Sequence, residues 1–317
     1  MSQNFYYKDQ DPNYALMGLY VQYGTGGGFA GDLLAPVVNV ASPNFKVPTY
    51  KAAKLDDDIN AALAPRDGAN EISSYLPTFS DKSAKRYGLK AGITREVQLA
   101  GSSPLSSIEA VGGDLIGKLR LGSEKRIKAL LDGNGNAASA PSVKWDASSG
   151  TIIIEKNVDD AREAFVKKTG FEANKIVIPS MVAKPMKRDA TIRELRKYTD
   201  PSLIVNGDLP STLWGLDVII PGALQNTANP GATQVVDRVW NTDTVYLLYV
   251  DPGISASGAT MTALAQFRWG QWGMPFGAYS WADPNPTVKV NWVAAEVFQT
   301  EAVVCADAIY RIPDVLT

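Results

Sequence analysis

The sequence predicts an α+β fold, and three regions of the chain lead to that prediction. Residues 104–131 repeat apolar side chains at intervals of three and four, which is typical of one long amphipathic helix. Residues 137–240 alternate β-branched runs with helix-forming runs, and residues 243–317 consist mainly of strand-like runs. With 317 residues, 45% of them hydrophobic, the chain can bury one large core or two smaller ones.

The first 43 residues predict an N-terminal arm that is rich in Gly, Tyr, Asn and Gln. Residues 33–40 form a short apolar, partly β-branched run that ends before Ser42-Pro43. Residues 26–31, GGGFAG, have the glycine spacing of a dinucleotide-binding turn, which requires a helix to begin at the glycines. Because Pro36 follows closely and no βαβ unit comes after it, a flexible arm is the better interpretation.

Residues 44–100 lack helical periodicity and predict a long two-stranded hairpin. Residues 45–50 alternate as a strand does, and three prolines suit an edge strand or an exposed ribbon. The segment is highly charged and its apolar residues are too sparse to build a core, so we expect it to lean on another part of the chain or on another subunit. Its acidic run, residues 56–58, does not have the spacing of a calcium loop and predicts a solvated face.

The long helix is the strongest single prediction. Pro104 suits a first turn, and the turn-forming run of residues 132–136 ends the helix. Gly112, Gly113 and Gly122 weaken the helix and would allow it to bend.

The remaining elements follow from local patterns. We expect strands at residues 151–154, 175–179, 213–220, 245–250, 263–269, 288–297 and 302–312, and helices at residues 181–188 and 191–197. A further helix is predicted from a cap at Asn157 to Thr169, ending at Gly170. Aromatic residues near the C-terminus are expected to pack on one sheet face or in a subunit contact rather than to line a ligand pocket: Trp269, Trp272, Tyr279, Trp281 and Trp292.

Composition argues against an enzyme. The chain has no histidine, which removes the Ser-His-Asp triad, the Cys-His pair and imidazole metal sites. Its one cysteine, Cys305, lies in an apolar run and predicts a small buried side chain. Carboxylate-pair, lysine and cofactor chemistry stay open, but we expect no catalytic residues, no cofactor and no bound metal.

Charge and targeting signals limit the partners. A net charge of -2 predicts no tight nucleic-acid binding, although weak non-specific contact with DNA stays open. The first residues lack the apolar stretch of a signal peptide, and no apolar run is long enough to span a membrane. The sequence therefore predicts a protein made in a cytoplasm and used there or in something assembled there.

The order of these elements resembles the major capsid proteins of tailed phages, with the fold typified by phage Hong Kong 97. Four local segments are similar to that family: the helix of residues 115–131 with its charged patch, the helix end at 169–170 before the strand at 175–178, the strand at 213–218, and the ending at 307–315. The resemblance covers nearly the whole chain and depends on a pattern of elements rather than on one motif.

The resemblance implies a domain organisation. It consists of an N-terminal arm (1–43), an extended loop (44–100), a spine helix with the start of a peripheral domain (101–137), an α/β axial domain (138–240) and a strand-rich part that is mainly peripheral (241–317). No motif fixes the lysine–asparagine cross-link of the founding member, so that feature is not carried over.

The resemblance also implies partners and a location. The chain would assemble with itself into pentamers and hexamers of an icosahedral shell around double-stranded DNA, with scaffolding, portal and decoration proteins as further partners. It would belong to the virion and be assembled in the host bacterial cytoplasm. Five charged residues are the candidate subunit contacts: Lys82, Lys85, Arg86, Glu124 and Arg126.

Two alternatives stay open. The same fold would serve the shell of an encapsulin-like nanocompartment, and the run at residues 26–31 would serve a dinucleotide-binding enzyme. Because histidine is absent, an acid response of a shell is expected to depend on carboxylates such as residues 56–58 and Glu124.

Overall fold

The computed structural model describes residues 28–50, 78–96, 104–147, 152–199, 209–229, 231–251, 253, 261–270, 276–285, 287 and 289–317. The predictions for the arm before residue 28, for the acidic run at residues 56–58 and for Trp272 lie outside the described residues. Within these ranges the chain is a mixture of helices and several sheets, which confirms the predicted α+β class.

A five-stranded sheet is built around one long strand, β14 (Val290–Val303). Its neighbours are antiparallel: β4 (Lys85–Thr94) along one side, and β12 (Leu264–Trp269) and β13 (Phe276–Ala282) along the other. Strand β1 (Val37–Val40) joins β12 in parallel. Residues 85–94 thus belong to this sheet and not to the hairpin that precedes them.

The long helix α2 runs from Pro104 to Gly133 without interruption and packs on one face of this sheet. Leu115, Ile116 and Leu119 are buried against Val293 and Val297. This is the amphipathic face that the spacing of apolar residues predicts. The prediction of a helix over residues 104–131 is confirmed, with two further residues at its C-terminal end.

A second sheet has six strands: β5 (Asn136–Ala137), β6 (Lys175–Val177), β7 (Thr212–Leu213), β8 (Leu216–Ile219), β11 (Val245–Leu248) and β15 (Ile309–Ile312). Their order across the sheet is β5-β15-β11-β6-β8-β7. The two central strands are β11 and β6. All four residues of β11 are buried, as are Ile176 and Val177 of β6, which is typical of strands covered on both faces. The C-terminal region therefore supplies strands to both sheets.

The described part of the chain has four further α-helices. They are the single turn α1 (Gly31–Leu34), α3 (Ile154–Thr169), α4 (Ser180–Arg188) and α5 (Ala190–Thr199). Helix α1 contacts the long helix and β12. Helix α3 ends at Gly170, whose φ of 73° is the left-handed conformation that ends many helices. The predicted helix end at residues 169–170 and the predicted helices near 181–188 and 191–197 are confirmed.

Two antiparallel ribbons are not part of the two larger sheets. One pairs β2 (Asn44–Thr49) with β3 (Thr78–Ser83) over six residue pairs, and the other pairs β9 (Leu224–Asn226) with β10 (Val236–Arg238). Strand β2 nevertheless packs Val47 against the five-stranded sheet. The β2–β3 pairing confirms the predicted hairpin for its two described strands. The residues between them, 51–77, lie outside the described part of the chain.

The strand predicted over residues 151–154 is wrong for its described part. Helix α3 begins at Ile154, so Asn157 lies inside the first turn and donates its backbone N–H to the carbonyl of Ile153 instead of capping. Ile154, Val158, Ala161 and Phe165 bury one helical face, and this packing outweighs the β-propensity of the isoleucines.

Two other predicted strands are interrupted. Trp214 and Gly215 take positive φ values of 54° and 77° and form the turn that separates β7 from β8. A short 3-10 helix at residues 306–308 divides the predicted strand at 302–312, and α1 replaces the start of the predicted run at 33–40. Cys305 is fully buried, which confirms its prediction as a small core residue.

Candidate assembly surfaces

The β2–β3 ribbon packs Val47 into the core beside the five-stranded sheet and exposes one large apolar side chain. Phe79 is 62% exposed, the largest value among the large hydrophobic side chains that the structure describes, and it stands opposite Pro48. Lys82, opposite Phe45, is also exposed. A two-stranded ribbon is only marginally stable by itself and is stabilised when it packs against another surface.

Lys85 and Arg86 begin β4, at the edge of the five-stranded sheet. Lys85 is exposed, whereas Arg86 reaches across to Glu296 of β14 with Nε at 2.7 Å and Nη2 at 2.5 Å from the carboxylate Oε2. The Arg86 side chain nevertheless keeps 47% of its surface exposed. Its guanidinium carbon also lies 5.9 Å from the ring centre of Phe298, so these contacts fix Arg86 on the sheet while part of the side chain reaches solvent.

Glu296 is held from the other side by Tyr279, whose hydroxyl donates to the Glu296 carboxylate at 3.1 Å. Burial and the adjacent carboxylate raise the pKa of Tyr279 well above its usual range, so the hydroxyl stays protonated as a donor. The strand neighbours of Glu296 are Gly88 and Gly277. At Gly277 a Cβ atom would lie 2.7 Å from the Tyr279 hydroxyl, so glycine makes room for the network.

Arg126 lies on helix α2 and is 29% exposed. Its Nε and Nη2 donate to both oxygens of Glu301 at 2.8 Å, and its guanidinium lies 3.9 Å from the ring centre of Tyr87. This bidentate and stacked geometry is the one in which arginine is least replaceable by lysine. It ties the helix to β14 and to β4 at once.

Glu124 requires a correction to its predicted role as a subunit contact. The residue is only 1% exposed and its carboxylate points into the chain. It accepts the backbone N–H groups of Ala30 (3.1 Å) and Gly31 (2.6 Å) and the indole N–H of Trp240 (2.7 Å). Glu124 therefore joins helix α2 to the root of the N-terminal region and to the loop before β11, and cannot touch a neighbouring subunit without unfolding that junction.

Asp32 adds a second layer to this junction. Its carboxylate lies between Arg120 (2.7 Å) and Arg268 (3.1 Å), and it also accepts the side-chain amide of Gln266 at 3.0 Å. Charged side chains that are largely buried are stable when paired and hydrogen-bonded in this way. Helix α1 is thus fixed against α2 and β12 by polar contacts.

The same contacts leave little support for a dinucleotide site. The helix after the glycine run is the single turn α1, and its first N–H group, on Gly31, is already bound to Glu124. A phosphate at this helix N-terminus would meet the Glu124 carboxylate, which carries the same charge. Among the described residues no cluster of three or more His, Cys, Asp or Glu side chains could hold a metal ion.

Burial is the largest influence on the pKa of Glu124 and raises it above the ordinary value of 4.5. The three N–H donors lower the pKa and the nearby Asp32 carboxylate raises it, but these effects are smaller. The folded chain then binds a proton at Glu124 at a pH where the unfolded chain has lost it. The contribution of this group to the free energy of unfolding therefore increases as pH falls through the folded pKa toward 4.5.

This sign gives a pH prediction. We expect the advantage of the natural protein over Glu124→Gln, measured as free energy of unfolding in urea, to be larger at about pH 5 than at about pH 7.5. The glutamine variant serves as its own control because it does not titrate at this position. An advantage that shrinks at the lower pH contradicts the prediction.

The aromatic residues of β13 and β14 do pack on one sheet face. Trp281 and Trp292 are directly opposite in the register of the two strands, and Trp292 donates its indole N–H to Asp283 at 2.9 Å. Lys90 lies 4.8 Å above the Trp292 ring, and Trp269 packs edge-on against Phe298. Helix α2 occupies the opposite face, so these aromatic rings form no pocket with it.

Several residues of these networks carry no signal in the sequence. Asp32, Trp240, Glu296 and Glu301 come from segments far apart along the chain, and their pairing depends on the sheet register. Isolated acidic residues inside otherwise apolar strands, such as Glu296 and Glu301, are the one hint that a buried partner exists.

The described chain contains no helix that is both long enough and apolar enough to cross a bilayer. No family model matches the sequence, and no curated protein matches it.

Solved structures do match, over nearly the whole chain. A phage-related protein from Bordetella bronchiseptica RB50 superposes with a TM-score of 0.70 at 18% identity, covering 97% of this chain and 99% of that one. The capsid of cyanophage P-SCSP1u gives 0.56 at 10% identity, with 90% and 87% covered. The SrpI encapsulin of Synechococcus elongatus PCC 7942 gives 0.50 at 12% identity, with 98% and 92% covered.

Identities this low establish the fold alone, and most of the similar structures are phage capsid proteins. The described elements that accompany this match are the long helix across the five-stranded sheet, the six-stranded sheet and the β2–β3 ribbon. The chain has the fold of the tailed-phage major capsid proteins.

Proposed function

We propose that this chain is a major capsid protein, which self-assembles into pentamers and hexamers of an icosahedral shell around double-stranded phage DNA. The observation that carries the proposal is the exposed side chain of Phe79 on the β2–β3 ribbon, a ribbon that otherwise packs Val47 against the five-stranded sheet. A single chain gains nothing from exposing this phenylalanine, whereas a neighbouring subunit can cover it.

The fold suggests how the parts would serve a shell. Helix α2 with the five-stranded sheet would be the spine helix and peripheral domain, and the six-stranded sheet with α3, α4 and α5 would be the axial domain. The junction at Glu124 and Asp32 ties α1 to the long helix, and Asp32 also ties it to β12. The root of the arm would therefore stay fixed while the arm and the ribbon adapt to different neighbours. Weak contacts of this kind add up over a closed shell.

Four of the predicted contact residues remain proposals: Lys82, Lys85, Arg86 and Arg126. Lys82 is exposed on β3 and Lys85 at the start of β4, and Arg86 and Arg126 keep part of their side-chain surface exposed. Scaffolding, portal and decoration proteins, residence in the virion and assembly in the host bacterial cytoplasm belong to the same proposal.

The second candidate function is the shell of a nanocompartment with a protein cargo. The similarity to the SrpI encapsulin over 98% of the chain supports it. The contents of shells isolated from the native source distinguish the two functions, because a capsid holds DNA and a compartment holds an enzyme. Finding neither DNA packaging genes beside the gene nor DNA inside the shells would favour the compartment.

Electron microscopy of the purified full-length protein tests the proposal. We expect closed shells, and we expect Phe79→Ser to reduce their yield at least about tenfold, since an apolar side chain buried at each of many repeated contacts is lost. The melting temperature of the unassembled chain should change little because Phe79 is exposed within one chain.

Ile153→Ser is the matched control, because Ile153 is also apolar and 47% exposed but lies just before α3, away from the ribbon. Shell yield should survive this change. A natural protein that stays monomeric under all assembly conditions would overturn the proposed function, and equal yields for Phe79→Ser and the natural protein would remove the ribbon from the subunit contact.

A further inference from the structure

Helix α4 exposes a basic stripe. Val182, Ala183 and Met186 are buried and fix one face of the helix against the core. Lys184 and Arg188 are exposed on the opposite face, four residues apart and so neighbours on the helix surface.

Helix α5 continues this basic surface. One residue, Asp189, separates it from α4. Ile192 of α5 is buried, and the next residue, Arg193, is exposed. The intervening Asp189 is occupied, since its side chain accepts the N–H groups of Thr191 and Ile192 and caps α5. The corner formed by α4 and α5 is called the basic corner below.

The charge of the basic corner is segregated from the rest of the chain. Residues 184–197 contain six basic and two acidic residues, a local net charge of +4 in a chain whose total is -2. Within the part of the chain that the structure describes, Lys184, Arg188 and Arg193 form no ion pair. Their charge is therefore open to a partner from outside the chain.

We infer that the basic corner contacts the phosphate backbone of nucleic acid, through Lys184, Arg188 and Arg193. Cations displace the condensed counterions of DNA, which gives binding that is independent of base sequence and strongly dependent on salt. The inference rests on the proposed shell function and names a surface that would face the enclosed genome. The inference agrees with the net charge of -2 for the whole chain, because one basic patch binds DNA more weakly than a protein that is basic throughout.

Nucleic acid fits the corner better than an acidic protein segment. Duplex DNA carries one charge per about 1.7 Å of its axis, which is about twice the density of an extended polyglutamate chain with one charge per ~3.3–3.6 Å. Arginine also forms bidentate contacts with phosphate, and two of the three side chains are arginine.

The test uses the full chain and a fluorescent 30-base-pair duplex, with binding measured by anisotropy across a salt series. We expect Lys184→Glu/Arg188→Glu/Arg193→Glu to lose at least about tenfold in affinity at low salt. The slope of log K against log salt should become shallower by about 2.7, since each phosphate contact contributes about 0.9. The neutral triple variant with glutamine at the same positions should fall between the two.

Helix α3 provides the matched control. Its exposed residues Lys156, Lys167 and Lys168 are reversed to Glu in the same way, on a helix that carries four basic and four acidic residues. DNA binding by this control should stay close to that of the natural protein. Equal loss in both triple variants would show that only total charge matters and would overturn the inference.

Two other outcomes would also overturn it. Unchanged affinity and slope for the α4–α5 variant would remove the basic corner from DNA contact. Competition by polyglutamate that equals competition by unlabelled DNA at the same charge concentration would indicate an acidic protein partner instead.

Shell formation is scored separately by microscopy. If shells form from both variants and DNA binding is unchanged, this inference fails while the proposed shell function stands. If the natural protein forms no shells, the proposed function fails whatever the binding assay gives.

Discussion

Replacing Glu124 with alanine lowers the free energy of unfolding by roughly 3 kcal/mol or more, since each buried donor left without an acceptor costs about 1–3 kcal/mol. Three donors lose their acceptor at once: the backbone N–H groups of Ala30 and Gly31 and the indole N–H of Trp240. Urea denaturation of the unassembled chain measures the loss.

Glu163→Ala is the control for this experiment. Glu163 is also a helical glutamate with a partner, Lys167, but it stands in solvent, where an ion pair contributes little. Its midpoint in urea should match that of the natural protein. A Glu124→Ala midpoint that also matches would show that the three donors find other acceptors and that the junction is not a single network.

The loss should be local as well as global. Because Glu124 ties residues 30 and 31 to α2, hydrogen exchange at these two amides should accelerate in Glu124→Gln even where the rest of the chain stays protected. Unchanged protection at Ala30 and Gly31 would mean that packing, rather than the carboxylate, holds α1 in place.

The second large effect is expected at Gly135, just after the long helix. Its φ of 86° is in the left-handed region, and a Cβ atom there would lie 2.6 Å from the Cβ, the Cγ2 and the carbonyl oxygen of Ile309. Gly135→Ala should lower the free energy of unfolding by about 3 kcal/mol, combining the left-handed backbone with forced overpacking. The clash falls where β5 pairs with β15 and neither strand can easily retreat.

Gly133→Ala is the matched control, two residues earlier. Gly133 is the last residue of α2, has no positive φ, and a Cβ atom there meets nothing within 4 Å. Stability should stay the same or rise by up to about 1 kcal/mol, since alanine favours helix. Similar stability for both alanine variants in urea would contradict the close approach at Ile309.

The sequence carried the elements whose signal is local. The apolar spacing of residues 104–131 predicted α2, and the glycine at 170 predicted the end of α3, because helical periodicity and left-handed caps act within a few residues. Prolines, charges and scarce apolar residues in residues 44–100 predicted the hairpin that contains β2 and β3. The absence of histidine and the single cysteine argued against catalysis without any structure.

The predictions failed where tertiary packing competes with local preference. The isoleucines at 152–154 favour a strand in isolation, yet Ile154 begins a helix because Val158 and Phe165 share its buried face. The predicted strand at 213–220 is interrupted since Trp214 adopts a positive φ, which is uncommon for a residue of that size.

By itself the sequence determined the fold class, the long helix, the hairpin of β2 and β3 and the absence of histidine chemistry, since each depends on composition or on spacing along the chain. The tertiary structure alone decided which charges are available to a partner. Glu124 and Arg126 are two residues apart, but burial locks one inside a junction and leaves the other partly open. That difference depends on which distant segments the fold brings together, and no local pattern of the chain encodes it.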